Sequence, residues 1–218
     1  MIKKIKKPIF PKFAYIPIIS VIIINCITYY ICPMISEDFK HHDLGTWIDD
    51  NLPFCGFFVV FYVLAYLQWV LSYIVHCRTS KENCHQIASS DIIAKLICFT
   101  LYIAFPVTIT RPQLTSGSFF DSIVSFLYSI DKPVNLFPSI HCLESWICFR
   151  GACLTYGKHK SYVTFQFIFS VLVFASTVLI KQHFFADIIA GVLAVEIGWF
   201  LTKKFNLGRI FDKIKQGK

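Results

Sequence analysis

His183 and Asp187 stand four residues apart in the stretch Ser176-Thr177-Val178-Leu179-Ile180-Lys181-Gln182-His183-Phe184-Phe185-Ala186-Asp187. On a helix that spacing puts both side chains on one face, one turn apart. Asp187 could then accept a hydrogen bond from one ring nitrogen of His183, and the other nitrogen would be free to act as a base or nucleophile. The flanks, Val171 to Ala175 and Ile188 to Ala190, are apolar. Ionisable groups are costly in such surroundings and usually have a partner or a task.

Other polar side chains could serve the same chemistry, which reads as phosphoryl transfer. Arg111 offers a planar fork of donors suited to phosphate oxygens, and Lys181 adds a mobile positive charge. Ser139 and the free amides at the start of a following helix can donate to an anion. Two histidines, His141 and His183, can divide the labour, one attacking phosphorus or activating water and the other protonating the leaving oxygen. Glu144, three residues after His141, and Ser176, seven before His183, are candidates to line the same cavity. No cluster of carboxylates of the kind magnesium wants accompanies these groups, so neither a metal nor a cofactor is expected.

These residues must be held by elements suited to a membrane. Of the 218 residues, 56% are hydrophobic and only 16% are charged, well below the charge of a soluble domain. The net charge of +8 sits mainly in short flanks of apolar runs. Contact with anionic lipid and a topology signal explain it better than nucleic acid does. The nine cysteines have no regular spacing and make a poor disulfide framework.

Apolar periodicity predicts an all-α, integral membrane bundle of six helices, read as a single membrane domain over residues 1–218. The segments run from about Phe13 to Cys32, Phe54 to His76, Ile92 to Thr108, Pro138 to Tyr156, Ser161 to Ile180 and Phe184 to Leu201. Lys95 lies near the inner end of the third and could snorkel to the interface. A shorter apolar piece, Phe119 to Ile130, reads as re-entrant or interfacial. Basic flanks, among them Lys3, Lys4, Lys6, Lys7 and Lys12 before the first helix and Lys203, Lys204 and Arg209 after the last, predict that both termini are cytoplasmic. That topology brings Arg111, Ser139 with His141, and Lys181 with His183 and Asp187 to one extracytoplasmic face of the cell membrane.

The same residues resemble the type 2 phosphatidic acid phosphatase superfamily, whose motifs are written K-x6-R-P, P-S-x-H and S-R-x5-H-x3-D. The second is whole here, as Pro138-Ser139-Ile140-His141; the third is present as Ser176, His183 and Asp187; of the first only Arg111-Pro112 remains. The family lysine would fall at Ala104 and the family arginine at Thr177, with Lys181 one turn beyond as a candidate replacement. The piece Lys181-Gln182-His183-Phe184 is similar to the inositol phosphorylceramide synthase-like branch. The resemblance implies His183 as a nucleophile that forms a phosphohistidine, Asp187 as its orienting carboxylate, His141 as the general acid, and Arg111 and Ser139 as phosphate binders. It also implies a motif-bearing catalytic core of about 92–203.

The expected activity is metal-independent hydrolysis of a lipid phosphate or diphosphate. One alternative is a phosphotransferase in which an alcohol replaces water. Another, from a different class, is a non-catalytic membrane transport or lipid-binding protein. Retention of both histidines with Asp187 favours catalysis.

Overall fold

A computed structural model describes residues 8–114 and 117–216. Lys3, Lys4, Lys6 and Lys7 lie outside the described residues. Among the described residues every regular element is helical, apart from an isolated bridge between His42 and Val107. The α-helices are α1 (Tyr15–Ser36), α2 (Trp47–Asn51), α3 (Val59–His76), α4 (Lys81–Ala104), α5 (Phe119–Ile130), α6 (Ile140–Tyr156), α7 (Lys160–Leu179), α8 (Phe185–Phe205) and α9 (Ile210–Gln216). Serines start three of them: Ser80, Ser118 and Ser139 accept hydrogen bonds from the amides of Asn83, Asp121 and Cys142.

Among the described residues, five helices are long and apolar enough to cross a membrane: Lys12–Ser36, Gly56–His76, Lys81–Ala104, Lys160–Leu179 and Phe185–Phe205. The protein is therefore a multi-pass, all-α membrane protein. The count is five where six were expected, and α6 makes the difference. Its 17 residues span only about 26 Å, short of the roughly 30 Å of a bilayer's apolar core. It also carries His141, Glu144 and Arg150. It can do so because it is sheathed by α3, α4, α7 and α8. Its surface meets protein rather than lipid, so it escapes the compositional rule that its neighbours obey.

Tight helix contacts fix the bundle around α6. Gly191 on α8 faces the carbonyl of Ser139, where a Cβ would come to 2.7 Å of the oxygen. Only a residue without a side chain lets α8 approach the start of α6 so closely. At the opposite end α9 folds back on α4 through Lys81 and Asp212, 2.6 Å apart. Helix α5 is the predicted short apolar piece, with the predicted bounds. It packs Val124, Leu127 and Tyr128 on Val59, Tyr62 and Ile180, and leaves Phe119, Phe126 and Ile130 exposed.

Two readings of polar residues change. Helix α4 begins at Lys81, so most of the expected inner loop before Ile92 is helix. Lys95 does not snorkel. It is buried and bridges Asp91, at 3.1 Å, and Glu144. Tyr73 donates to the same Asp91 oxygen that meets Lys95. This network binds α3, α4 and α6 in the interior. Replacing Lys95 by Met leaves two buried carboxylates without their counter-charge. The expected loss is about 3–5 kcal/mol, read as a fall in thermal unfolding temperature in detergent and partly reversed by adding Glu144→Gln.

Candidate active site

The turn between α7 and α8 is built from backbone outward. The carbonyl of Thr177 accepts the amides of Gln182, at 2.9 Å, and His183, at 3.1 Å. Lys181 takes a left-handed conformation, φ 52°, that reverses the chain there. His183 thus lies just before α8 and not on one helical face with Asp187, as its spacing suggested. The pairing is made all the same. Asp187 sits in the first turn of α8, where its Oδ2 accepts from the Phe184 amide at 2.9 Å and lies 3.1 Å from His183 Nδ1. The carbonyl of Leu136 lies 3.1 Å from the same Nδ1. Two acceptors at Nδ1 fix the tautomer with the proton on that nitrogen, and Nε2 is left with its lone pair.

The start of α6 is tied to the same point. The Ser139 amide donates to the carbonyl of Asp187 at 3.1 Å. His141 follows two residues later and brings its ring centroid to 6.5 Å from that of His183. Tyr62 stacks on the His141 ring at 3.8 Å, with Tyr66 and Trp69 edge-on at 5.3 and 5.1 Å. His141 and His183 both line a cavity of about 320 Å³.

Around this cavity several buried polar atoms have no partner: His141 Nε2, Gln182 Nε2, Arg111 Nε and Asp187 Oδ1. Buried polar groups are nearly always satisfied, so these atoms have bonding capacity left for a polar ligand or for water.

The predicted site residues divide clearly. His141, His183 and Asp187 come together. Arg111 comes close but stands behind the wall. Its guanidinium donates to the carbonyls of Asp131, at 2.5 Å, and Tyr128, at 3.3 Å, and to Gln182 Oε1. It also lies 4.7 Å over the Tyr128 ring. Burial pushes its pKa down from the usual arginine value, although an arginine stays charged in any case. Ser139 is fully buried and caps α6. Lys181 does not enter the cavity: its Nζ donates to the carbonyls of Asp49, at 2.9 Å, and Leu52, at 2.7 Å. Glu144 is not a lining residue, because it turns to Lys95. Nor is Ser176, whose hydroxyl donates to the Val173 carbonyl at 2.6 Å. The two positions expected to have lost a cation hold an exposed Ala104 and a buried Thr177, and neither has a charge to offer.

Five contributors were not singled out in the sequence. Gln182 stands between Arg111 and the cavity. Asp49, on the short helix α2, accepts the Phe185 amide at 2.7 Å and so caps α8 beside Asp187. Tyr62, Tyr66 and Trp69 enclose His141 from α3. For Gln182 a signal existed in its place beside His183; for the others, pairings across more than 70 positions carried none.

The PAP2 superfamily model matches residues 38–201. The chain belongs to the PAP2 superfamily. Comparisons with curated proteins and with solved structures gave no match. The PAP2 match includes the α8 turn, the start of α6 and Asp49, so every group named above lies within it. Membership associates the protein with phosphatase or phosphotransferase activity on lipid-like substrates.

The tether of Lys181 makes a prediction. Lys181→Ala leaves KM for a lipid phosphate unchanged but lowers stability by about 1 kcal/mol through the lost carbonyl contacts. Lys181→Gly loses the same contacts but suits the left-handed turn, so it unfolds at a higher temperature than the alanine variant. Thermal unfolding and Michaelis kinetics on both variants check this.

Proposed function

We propose that the protein is a metal-independent lipid phosphatase that works through a phosphohistidine on His183. The observation that carries this reading is the arrangement of His183 itself: Nδ1 is held by Asp187 and the Leu136 carbonyl, and the ring lines a cavity that it shares with His141. Nε2 attacks phosphorus, the N–P bond forms, and the P–O bond to the lipid alcohol breaks. His141 gives its proton to the departing oxygen. Water then attacks phosphorus, the N–P bond breaks, and the water's proton returns to His141. The stack on Tyr62 and the edge contacts with Tyr66 and Trp69 orient His141 for both transfers.

Gln182 Nε2 is the donor best placed for a phosphoryl oxygen, with Arg111 acting from behind it. Ser139 serves mainly by fixing the start of α6. The motif-bearing core of 92–203 acts within one membrane domain, with α1 and α3 adding walls to its cavity. The site is proposed to face the extracytoplasmic side. Arg78, Lys81, Lys158, Lys160, Lys203 and Lys204 flank the helix ends remote from the α7–α8 turn, and basic flanks are retained on the cytoplasmic side.

A transferase of the inositol phosphorylceramide synthase-like type is the second reading, favoured by Lys181-Gln182-His183-Phe184. It uses the same first half-reaction, with an alcohol in place of water in the second.

His183→Ala should abolish turnover of lipid phosphates while the protein still unfolds cooperatively; normal turnover in that variant contradicts the mechanism. His141→Ala should slow substrates with poor leaving groups by about 10²–10⁴ and aryl phosphates far less. Equal losses on both would remove His141 as the acid. Product analysis with and without alcohol acceptors separates hydrolysis from transfer.

A further inference from the structure

Helix α5 carries one charged side chain, Asp121, and divides most of its other residues among three faces. At about 100° per residue, Phe120, Val124, Leu127 and Tyr128 share one side and pack into the protein. Ser122, Ser125 and Ser129 share a second. Phe119, Phe126 and Ile130 share the third, and they are 74, 62 and 60% exposed. A helix on a water-facing surface needs one buried side and one polar side; a third, apolar side has no use there. Both ends of α5 are pinned to helices long and apolar enough to cross the membrane. At its start the Phe120 ring meets Phe57 edge-on at 5.3 Å, and Gly56 packs on Asp121 too closely to admit a Cβ. Gly56 and Phe57 open the crossing segment Gly56–His76. At its close Asp131 accepts the Tyr29 hydroxyl at 3.0 Å, and Asn135 donates to the Tyr29 carbonyl at 3.3 Å. Tyr29 lies seven residues before the end of α1, about 10 Å along the axis. The helix thus runs along the boundary between α1 and α3, with its closing end the deeper. Exposed Tyr30 and Phe57 continue its apolar face onto those two helices.

Such a face suits the boundary between lipid headgroups and acyl chains, where an amphipathic helix lies with its apolar side sunk about 5–10 Å. We propose that α5 docks on the bilayer surface, with Phe119, Phe126 and Ile130 among the acyl chains and the three serines toward the headgroups. The partner is the lipid layer and not a second protein, because the face is continuous with the exposed apolar surfaces of α1 and α3. The docked helix is also a wall of the cavity that His141 and His183 share, through Leu127 and Ile130. Its inner side packs on Tyr62, which stacks on His141. Its Tyr128 hydroxyl donates to the Ile180 carbonyl, at 2.6 Å, in the turn that carries His183. Bilayer contact therefore helps to fix the space between the two histidines. The docking itself does not rest on the catalytic reading.

The test is the accessibility of nitroxide labels on the full chain in phosphatidylcholine vesicles. Phe119→Cys, Ser122→Cys, Ser125→Cys, Phe126→Cys, Ser129→Cys and Ile130→Cys are labelled one at a time, and all six positions are exposed. The background carries Cys26→Ser, Cys55→Ser and Cys153→Ser, since the other six native cysteines are buried. Dissolved oxygen collects among acyl chains, and a neutral nickel chelate stays in water. Labels replacing Phe119, Phe126 and Ile130 should collide more with oxygen, and labels replacing the three serines more with the chelate. The label replacing Ile130 should lie deeper than the one replacing Phe119. Adding Phe119→Ser and Phe126→Ser together should shift the Ile130 label toward water. Chelate access at all six positions, or an Ile130 label that the double substitution leaves in place, would overturn the proposal. So would spin–spin broadening with the apolar face closed to both agents, the mark of a second copy seated on it. None of these readouts needs turnover, so a failure of the phosphohistidine mechanism leaves them unchanged, and their failure leaves that mechanism standing.

Discussion

Asp187 joins three parts of the molecule at one point. Its side chain caps the start of α8 through the Phe184 amide and holds His183 Nδ1, and its carbonyl receives the amide of Ser139 at the start of α6. The ring proposed as nucleophile and the helix that carries His141 are therefore referenced to the same residue. Gly191, one turn further along α8, makes the approach possible by offering no Cβ toward the Ser139 carbonyl. His141 on α6 and His183 in the turn before α8 keep a fixed separation because their supports are bonded to each other and not merely packed. The elements around them serve the same end: Asp49 adds a second cap to α8, and Tyr62, Tyr66 and Trp69 press on His141 from α3.

Much of this was legible in the sequence. The spacing of His183 and Asp187 announced a pair, the apolar runs announced the long helices, and the order of Arg111, His141 and His183 announced a meeting point. What could not be read is the part set by tertiary partners. The pair is formed at a helix start, where a capping carboxylate reaches back to the preceding turn, and residue spacing alone cannot separate that from a shared helical face. Lys181 has the charge of a phosphate binder, but a left-handed turn and two loop carbonyls point it elsewhere. Glu144 lies close enough in sequence to His141 to suggest a shared role, and only the position of Lys95 on a neighbouring helix shows that it faces the buried ionic network. Helix α6 reads as a crossing by its place in the chain, but its short, polar composition is tolerable only because four helices sheathe it. The long polar stretch before Ile92 read as a loop, because its partners on α8 and α9 lie far along the chain.

The distribution of charge separates structure from chemistry. Lys95 neutralises carboxylates deep in the bundle, and Lys181 and Arg111 tie loops to the turn that carries His183. The cavity itself is left with two imidazoles, the amides of Asn25, Asn135 and Gln182, aromatic and aliphatic side chains and Asp131. Membership of the PAP2 superfamily gives the class of chemistry, and this lining is the physical basis for asking which lipid it acts on.

The central claim is that His183, held by Asp187, becomes covalently phosphorylated. The most direct measurement is mass spectrometry of protein quenched at alkaline pH during turnover, where a phosphoramidate survives. The account predicts phosphate, or headgroup phosphate, on His183, with much less in Asp187→Asn, where the carboxylate that orients the ring is lost. Turnover with no adduct on His183, or an adduct unaffected by Asp187→Asn, would contradict it.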